Sequence, residues 1–218
     1  IKASSRDEVL ISHLVQKLWE QFPETRRTIS IQPMLKGCDA YIATGSNNSG
    51  RYFEYYFSKY PSIIRRNRSS AAILTGHETP ENLDLLADDI LLYFGLGCRN
   101  VSKLYVPEGY DFVPLIKALD KYAWMEDHNK FRNNYDYNLS LHILNGRYYM
   151  SSRAMLILED NALFSPIAQL NYAYYNAAGP SDQQLPEAND LQCIVGNGHT
   201  PFGQAQSPGL TSFADGVD

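Results

Sequence analysis

The chain has 218 residues, 44% hydrophobic and 20% charged, and a net charge of −5 spread over dispersed acids. That is enough material for one large domain or parts of two, and it excludes a basic surface for nucleic acid. No apolar run is long enough to span a bilayer, and Cys38, Cys98 and Cys193 are too scattered for a disulfide framework or, with the five histidines, for a metal site; free thiols predict a reducing, cytoplasmic setting.

In chain order, Val9, Leu10, Leu14, Leu18 and Trp19 recur near helical spacing and predict an amphipathic helix over Glu8 to Phe22, stopped by Pro23. Ile29 to Ile31 reads as a short strand, and Cys38 to Ala43 as a buried parallel strand. A Gly/Ser turn follows over Thr44 to Gly50, then a helix over Arg51 to Tyr60. Beyond the basic stretch Arg65 to Arg68, Ser69 to Leu74 reads as a strand and Thr75-Gly76-His77 as a turn. Thr79-Pro80 supplies an N-cap and a proline at the first helical position. Leu83, Leu86, Ile90 and Phe94 mark one face of the helix leading to Cys98. Lys103 to Val106 is a strand closed by Pro107, and Phe112 to Tyr122 a helix. Asp127 to Asn138 shows no clear period, and the last sixty residues or so read as short strands and loops. Strands alternating with helices predict an α/β fold.

Cys98 is the residue with the clearest chemistry. It stands in Phe94-Gly95-Leu96-Gly97-Cys98-Arg99-Asn100, a turn between a helix and a strand. Flanking glycines leave a thiol open to substrate, as a covalent nucleophile requires, and leave little side chain to bury it. The Thr44 to Gly50 turn, between a strand and a helix, reads either as a phosphate cradle or as a plain connection. It is not a P-loop, because no Gly-Lys-Ser/Thr follows. Arg65 to Arg68 reads as a solvated face before it reads as an anion site.

Five ordered segments carry a resemblance. They are Ile1 to Ser5 with Lys2; Ala43 to Ser46 with Gly50; Gly97-Cys98 with Lys103 to Val106; Leu163 to Ile167; and Pro201-Phe202-Gly203-Gln204 with Ser207 and Gly209. Together they resemble the aldehyde dehydrogenase superfamily from its cofactor lysine through its nucleophile. Leu163 to Ile167 is similar to its Phe-Gly-Pro-Val segment near the nicotinamide, and the last to its Pro-Phe-Gly-Gly signature. Within the superfamily, Asp39 to Asn48, Ile64 to Arg68, Phe94 to Lys103 and Pro201 to Gln206 look like the acyl-CoA reductases of the LuxC type.

The resemblance implies an aldehyde dehydrogenase-like α/β fold. Residues 1–68 would be the later part of a Rossmann-type dinucleotide-binding domain, 69–190 the catalytic domain and 191–218 a segment returning to the cofactor side. It implies NADPH-dependent reduction of an acyl-CoA to the aldehyde, with Cys98 as nucleophile and Lys2, Ser5, Arg6, Gly45, Ser46, Ser49 and Phe164 at the cofactor. The oxidising members carry a glutamate upstream of the cysteine to activate water; Ile63 to Ser70 here contains no carboxylate, which favours reduction unless Glu78 or Glu108 supplies the base. NAD-preferring members place a glutamate three residues after the lysine; Ser5 stands there with Arg6 beside it, which suits the extra phosphate of NADP. Ala162 stands where a ribose-binding glutamate would fall.

Two rivals remain: an aldehyde dehydrogenase running towards acid or acyl-CoA, and a catalytically silent nucleotide-binding scaffold. The partners expected are an acyl-CoA substrate and either a second copy of the chain or an acyl-transferring protein. Because the match begins at the cofactor lysine, the sequence is also expected to be a portion of a longer polypeptide.

Overall fold

The structure, a computed structural model, describes residues 1–176, 179–180, 185 and 189–212. It divides into two units, Ile1–Arg66 and Asn67–Asp218.

The first unit holds helix α1 (Glu8–Gln21), a 3-10 turn at Pro23–Arg27, strand β1 (Tyr41–Thr44), helix α2 (Asn47–Phe57) and strand β2 (Ser62–Arg65). β1 and β2 pair in parallel from Tyr41 opposite Ser62, so α2 is the crossover of a βαβ unit. Its apolar centre is aromatic: Tyr41 stacks on Phe57 at 4.1 Å and meets Tyr60 edge-on at 5.3 Å.

Three expectations fail in this unit. Tyr41 is the one buried residue of β1 and Ile42 is exposed, because a two-stranded sheet covers little. Ile29 to Ile31 is not a strand; its pairing reaches a single residue, with the Ile1 amino group donating to Ser30 O (2.6 Å) and Gln32 N–H to Ile1 O (2.8 Å). On α1, Val15 is buried while Val9, Leu10, Leu14 and Leu18 of the expected stripe are exposed.

The second unit is built on a six-stranded sheet in the order β5-β6-β7-β4-β3-β8. Its strands are β3 (Ser69–Ile73), β4 (Val101–Pro107), β5 (Met150–Ser151), β6 (Leu156–Glu159), β7 (Gln169–Tyr175) and β8 (Leu191–Gly196). All neighbours run parallel except the antiparallel edge pair β5–β6. Helices α3 (Pro80–Leu91), α4 (Val113–Leu119) and α5 (Asn129–Leu144) accompany it, with a 3-10 stretch at Asp120–Asp127 after α4. Leu86, Ile90, Leu104, Leu115, Leu119 and Leu156 are fully buried in one core, each worth about 1.5–3 kcal/mol of burial.

The expected N-cap is present: Thr79 Oγ1 accepts from Asn82 N–H at 3.3 Å. The aperiodic stretch from Asp127, by contrast, folds as α5. Its buried positions Phe131, Tyr135, Asn138 and His142 keep helical spacing, but half of them are polar, which hides the period in sequence. No helix among the described residues is long and apolar enough to cross a membrane.

Candidate active site

Helix α3 stops at Leu91, and the chain turns sharply before Cys98. Tyr93 and Phe94 adopt left-handed backbone (φ 56° and 61°), followed by Gly95 at φ 69°; Phe94 therefore lies beyond the helix, not on its face. Two non-glycine residues in this region cost about 1–3 kcal/mol each and persist only where the surroundings enforce them. The Phe94 ring supplies part of that enforcement, packing on His128 at 4.7 Å, Trp124 at 5.8 Å and Phe131 at 6.0 Å.

Asn100 supplies the rest. Buried, its side-chain amide donates to the carbonyls of Asp89 (3.1 Å), Ile90 (3.2 Å) and Leu92 (2.9 Å), while its Oδ1 accepts from Gly97 N–H at 2.8 Å. Two carbonyls of the last turn of α3, those of Asp89 and Ile90, thus have Asn100 as donor, which reduces the negative field the helix C-terminus presents to the turn. A Cβ on Gly97 would come within 2.9 Å of Asn100 Oδ1, so this latch demands glycine next to the cysteine. Cys98 itself is exposed.

Two serines at the start of β3 fasten the turn to the sheet. Ser70 Oγ donates to Cys98 O at 3.1 Å and lies 3.1 Å from Cys193 Sγ, while Ser69 Oγ lies 2.6 Å from Ser102 Oγ, which donates to Leu163 O at 2.6 Å. The ladder slips here: Ser70 faces Val101 but Ala71 faces Lys103, leaving Ser102 as a bulge residue. Ser70 thus holds the Cys98 turn, while Ser69 and Ser102 hold the segment carrying Phe164. Phe164 is half-exposed. Cys193 is half-buried, and burial pushes its thiol up, so it is a poorer nucleophile than a thiol in water.

The Pro201 to Gln204 segment reaches the same neighbourhood. Asp89, fully buried on α3, accepts from Gly203 N–H at 2.7 Å and Ala205 N–H at 3.0 Å. Arg99, beside the cysteine, donates to Ala205 O (3.5 Å) and Ser212 O (2.9 Å). A cleft of about 470 Å³ opens there, lined by Arg99, Cys193, Thr200 and Gln204 among others.

The cofactor candidates other than Phe164 lie in the first unit, in two groups. Gly45, Ser46 and Ser49 sit at the β1–α2 junction, where Ser46 Oγ caps α2 by accepting from Ser49 N–H at 3.2 Å; α2 starts at Asn47, earlier than expected. Lys2, Ser5 and Arg6 are exposed ahead of α1, in a turn closed by Ser4 Oγ donating to Asp7 Oδ2 at 2.6 Å. No hydrogen bond or ion pair joins the two groups among the described residues.

Solved structures that match share this architecture. An NAD-dependent aldehyde dehydrogenase from Sinorhizobium meliloti is 14% identical at a TM-score of 0.52, over 72% of this chain and 38% of its own. An indole-3-acetaldehyde dehydrogenase bound to NAD+ gives 15% and 0.51, over 72% and 39%. A point mutant of an aldehyde dehydrogenase from Bacillus cereus gives 13% and 0.50, over 72% and 39%. The fold is aldehyde dehydrogenase-like. The chain spans about two fifths of the length of these relatives, and no family model and no curated protein matches its sequence.

Sequence reasoning missed Ser69, Ser70, Asp89, Asn100, Lys103 and Asn171, all buried polar residues on the elements around Cys98. A signal was available for two of them. Asp89 falls inside the apolar stripe of α3 between Leu86 and Ile90, and Lys103 heads the apolar strand run Leu104-Tyr105-Val106.

Proposed function

We propose that this chain is part of an NADPH-dependent acyl-CoA reductase, of the LuxC type, that forms an aldehyde through an acyl group on Cys98. The Cys98 sulfur attacks the thioester carbonyl, the carbon–sulfur bond to coenzyme A breaks, and coenzyme A leaves with the proton lost from Cys98. When bound, a reduced nicotinamide would supply the hydride that turns this acyl group into an aldehyde, and the Cys98 sulfur, released as its carbon–sulfur bond breaks, would regain a proton from solvent.

The observation that carries the direction is what meets Cys98 from upstream. The chain entering β3 presents the hydroxyl of Ser70 to the Cys98 carbonyl, with Ser69 beside it, and no carboxylate occurs from Ile63 to Ser70. Neither alternative acid serves as a base. Glu78 follows β3 and accepts from Thr75 N–H, Thr75 Oγ1 and Gly76 N–H; Glu108 follows β4. Cys98 precedes β4, so both acids lie at the far end of a strand about 20 Å long. A general base must stand within hydrogen-bond reach of the water it activates.

The β1–α2 junction supports a place for a phosphate of the cofactor. The Asn47 and Asn48 amides have no partner inside the helix and carry the positive end of its dipole. A Cβ on Gly45 would meet Ser49 Cβ at 3.0 Å and Phe53 at 3.1 Å, which keeps that backbone bare for a phosphate. Lys2, Ser5 and Arg6 would take the ribose and its phosphate, and Phe164 the nicotinamide. Since Arg6 is exposed and screened, Arg6→Ala should weaken NADPH binding by about tenfold and leave NADH unchanged. Titration of both cofactors decides this, and equal losses for the two would count against Arg6 as the phosphate ligand.

The reading itself is tested by incubating the protein with an acyl-CoA and no cofactor. Mass spectrometry should find one acyl group, on the peptide containing Cys98. An adduct on Cys38 or Cys193 with Cys98 free, or no adduct at all, would overturn it.

A further inference from the structure

Lys103 is fully buried in β4, where lysine is rarely tolerated. Its ammonium donates to the carbonyl of Asp160 and lies 5.6 Å from the centre of the Tyr105 ring. Burial pulls its pKa down to about 8 against the pull of Asp160 and Glu159. Such a cost invites a reason, and the connection from β6 to β7 supplies one.

Parallel strands usually need a crossover of a dozen or more residues containing a helix. β6 ends at Glu159 and β7 begins at Gln169, so this crossover is short and has no helix in it. Its carbonyls cannot pair with one another as a helix would pair them, and each needs a partner from elsewhere. Side chains of the sheet provide four of them. Lys103 takes Asp160 O; Asn171 Nδ2 donates to Ala162 O (3.0 Å) and Phe164 O (3.3 Å); Ser102 Oγ donates to Leu163 O (2.6 Å). The bulge at Ser102 explains how consecutive residues of one strand serve the same crossover. Asn171 is itself oriented, since its Oδ1 accepts from Gln169 Nε2 at 2.8 Å and Gln169 Oε1 lies 2.9 Å from His142 Nε2.

We infer that Lys103, Ser102 and Asn171 are positioning residues that fix the 160–166 backbone above the sheet and so place Phe164 for the nicotinamide. This rests on the reading of Phe164 and Cys98 in the preceding subsection. Apolar side chains at these sites would fill the space but leave the carbonyls of the crossover without donors. The role is separable from the nucleophile: acyl transfer to Cys98 needs only the Cys98 turn, while reduction needs the crossover in place.

The test uses the full chain with Lys103→Met and Ser102→Ala, and three readouts. Amide exchange by mass spectrometry follows peptides from 160–168, with β3 and β4 peptides as the control for folding. Acylation of Cys98 is measured without cofactor, and single-turnover reduction of the acylated protein with NADPH. Exchange in 160–168 should rise about tenfold in Lys103→Met, the weight of one charge-assisted hydrogen bond, and roughly threefold in Ser102→Ala. Acylation should be retained and reduction should fall about tenfold. Ser102→Thr, which keeps the hydroxyl, should restore both exchange and reduction.

Unchanged exchange in a folded Lys103→Met, or raised exchange with full reduction, overturns the inference. Should Lys103→Met lose protection throughout β3 and β4, the Ser102 pair gives the same decision. If the unmutated protein takes no acyl group on Cys98, the functional reading fails on that arm alone, and the exchange arm still tells whether these side chains hold the crossover.

Discussion

Cys98→Ala is expected to lower aldehyde formation by at least about a thousandfold while leaving the fold as stable as before. Removal of a covalent nucleophile has effects on this scale, because no other group in the turn can form the same bond. The stability half of the expectation comes from the geometry. Cys98 is exposed, and what holds its turn are Asn100, which bonds to Gly97 N–H, and Ser70, which bonds to the Cys98 carbonyl. Those contacts involve backbone at residues 97 and 98 and survive the substitution, so unfolding should shift by less than about 0.5 kcal/mol. The check is a pair of measurements on one sample: NADPH oxidation with acyl-CoA, and a urea melt. Turnover that persists in Cys98→Ala would remove the residue from the mechanism. A large loss of stability would mean that the thiol is structural and the activity loss uninformative.

How much of this was legible in the sequence depends on whether a residue's surroundings agree with its type. The N-cap Thr79, the apolar positions Leu83, Leu86 and Ile90, and the strands at Ser69 and Lys103 were readable because local propensity and burial point the same way. The α5 helix was not, since Asn138 and His142 occupy buried positions that an apolar pattern would have revealed. Nor was the end of α3: Phe94 keeps the helical spacing of Leu83, Leu86 and Ile90, yet the backbone turns left-handed under it to meet its aromatic neighbours. In the candidate site, the glycine-flanked cysteine and the Gly45-Ser46 turn announce themselves by residue type. Ser70 and Asn100, which hold the Cys98 turn, look like ordinary surface residues until their partners are known. Motifs carry local chemistry, and long-range hydrogen bonds leave no period to read.

The second large effect is expected at Asp89. Its two oxygens accept from Gly203 N–H and Ala205 N–H, tying the Pro201 to Ala205 segment to α3 just ahead of the Cys98 turn. Asp89→Ala leaves both amides without their acceptor, Ala205 fully buried and Gly203 half-buried, at a cost of about 2–4 kcal/mol. The cost should depend on pH in a definite direction. Burial raises the Asp89 pKa to about 6, ahead of the opposing pull of the Gly203 and Ala205 amides, and the neighbouring charge of Asp88 adds to the rise. A carboxyl whose folded pKa exceeds its unfolded value near 3.8 stabilises the fold most below that value, and this contribution is lost as pH rises through about 6. The wild type should therefore exceed Asp89→Ala in stability by more at pH 4.5 than at pH 7.5, about 1 kcal/mol or more separating the two gaps. Urea melts followed by Trp124 fluorescence in a Trp19→Phe background would report on the second unit at both pH values. A gap that is the same at the two pH values, or wider at pH 7.5, would show that Asp89 is held as a carboxylate by its two amides, with burial the lesser effect. A negligible gap at both would mean that the Pro201 to Ala205 segment is anchored by Arg99 and its own packing, and that Asp89 has no part in fixing it beside the nucleophile.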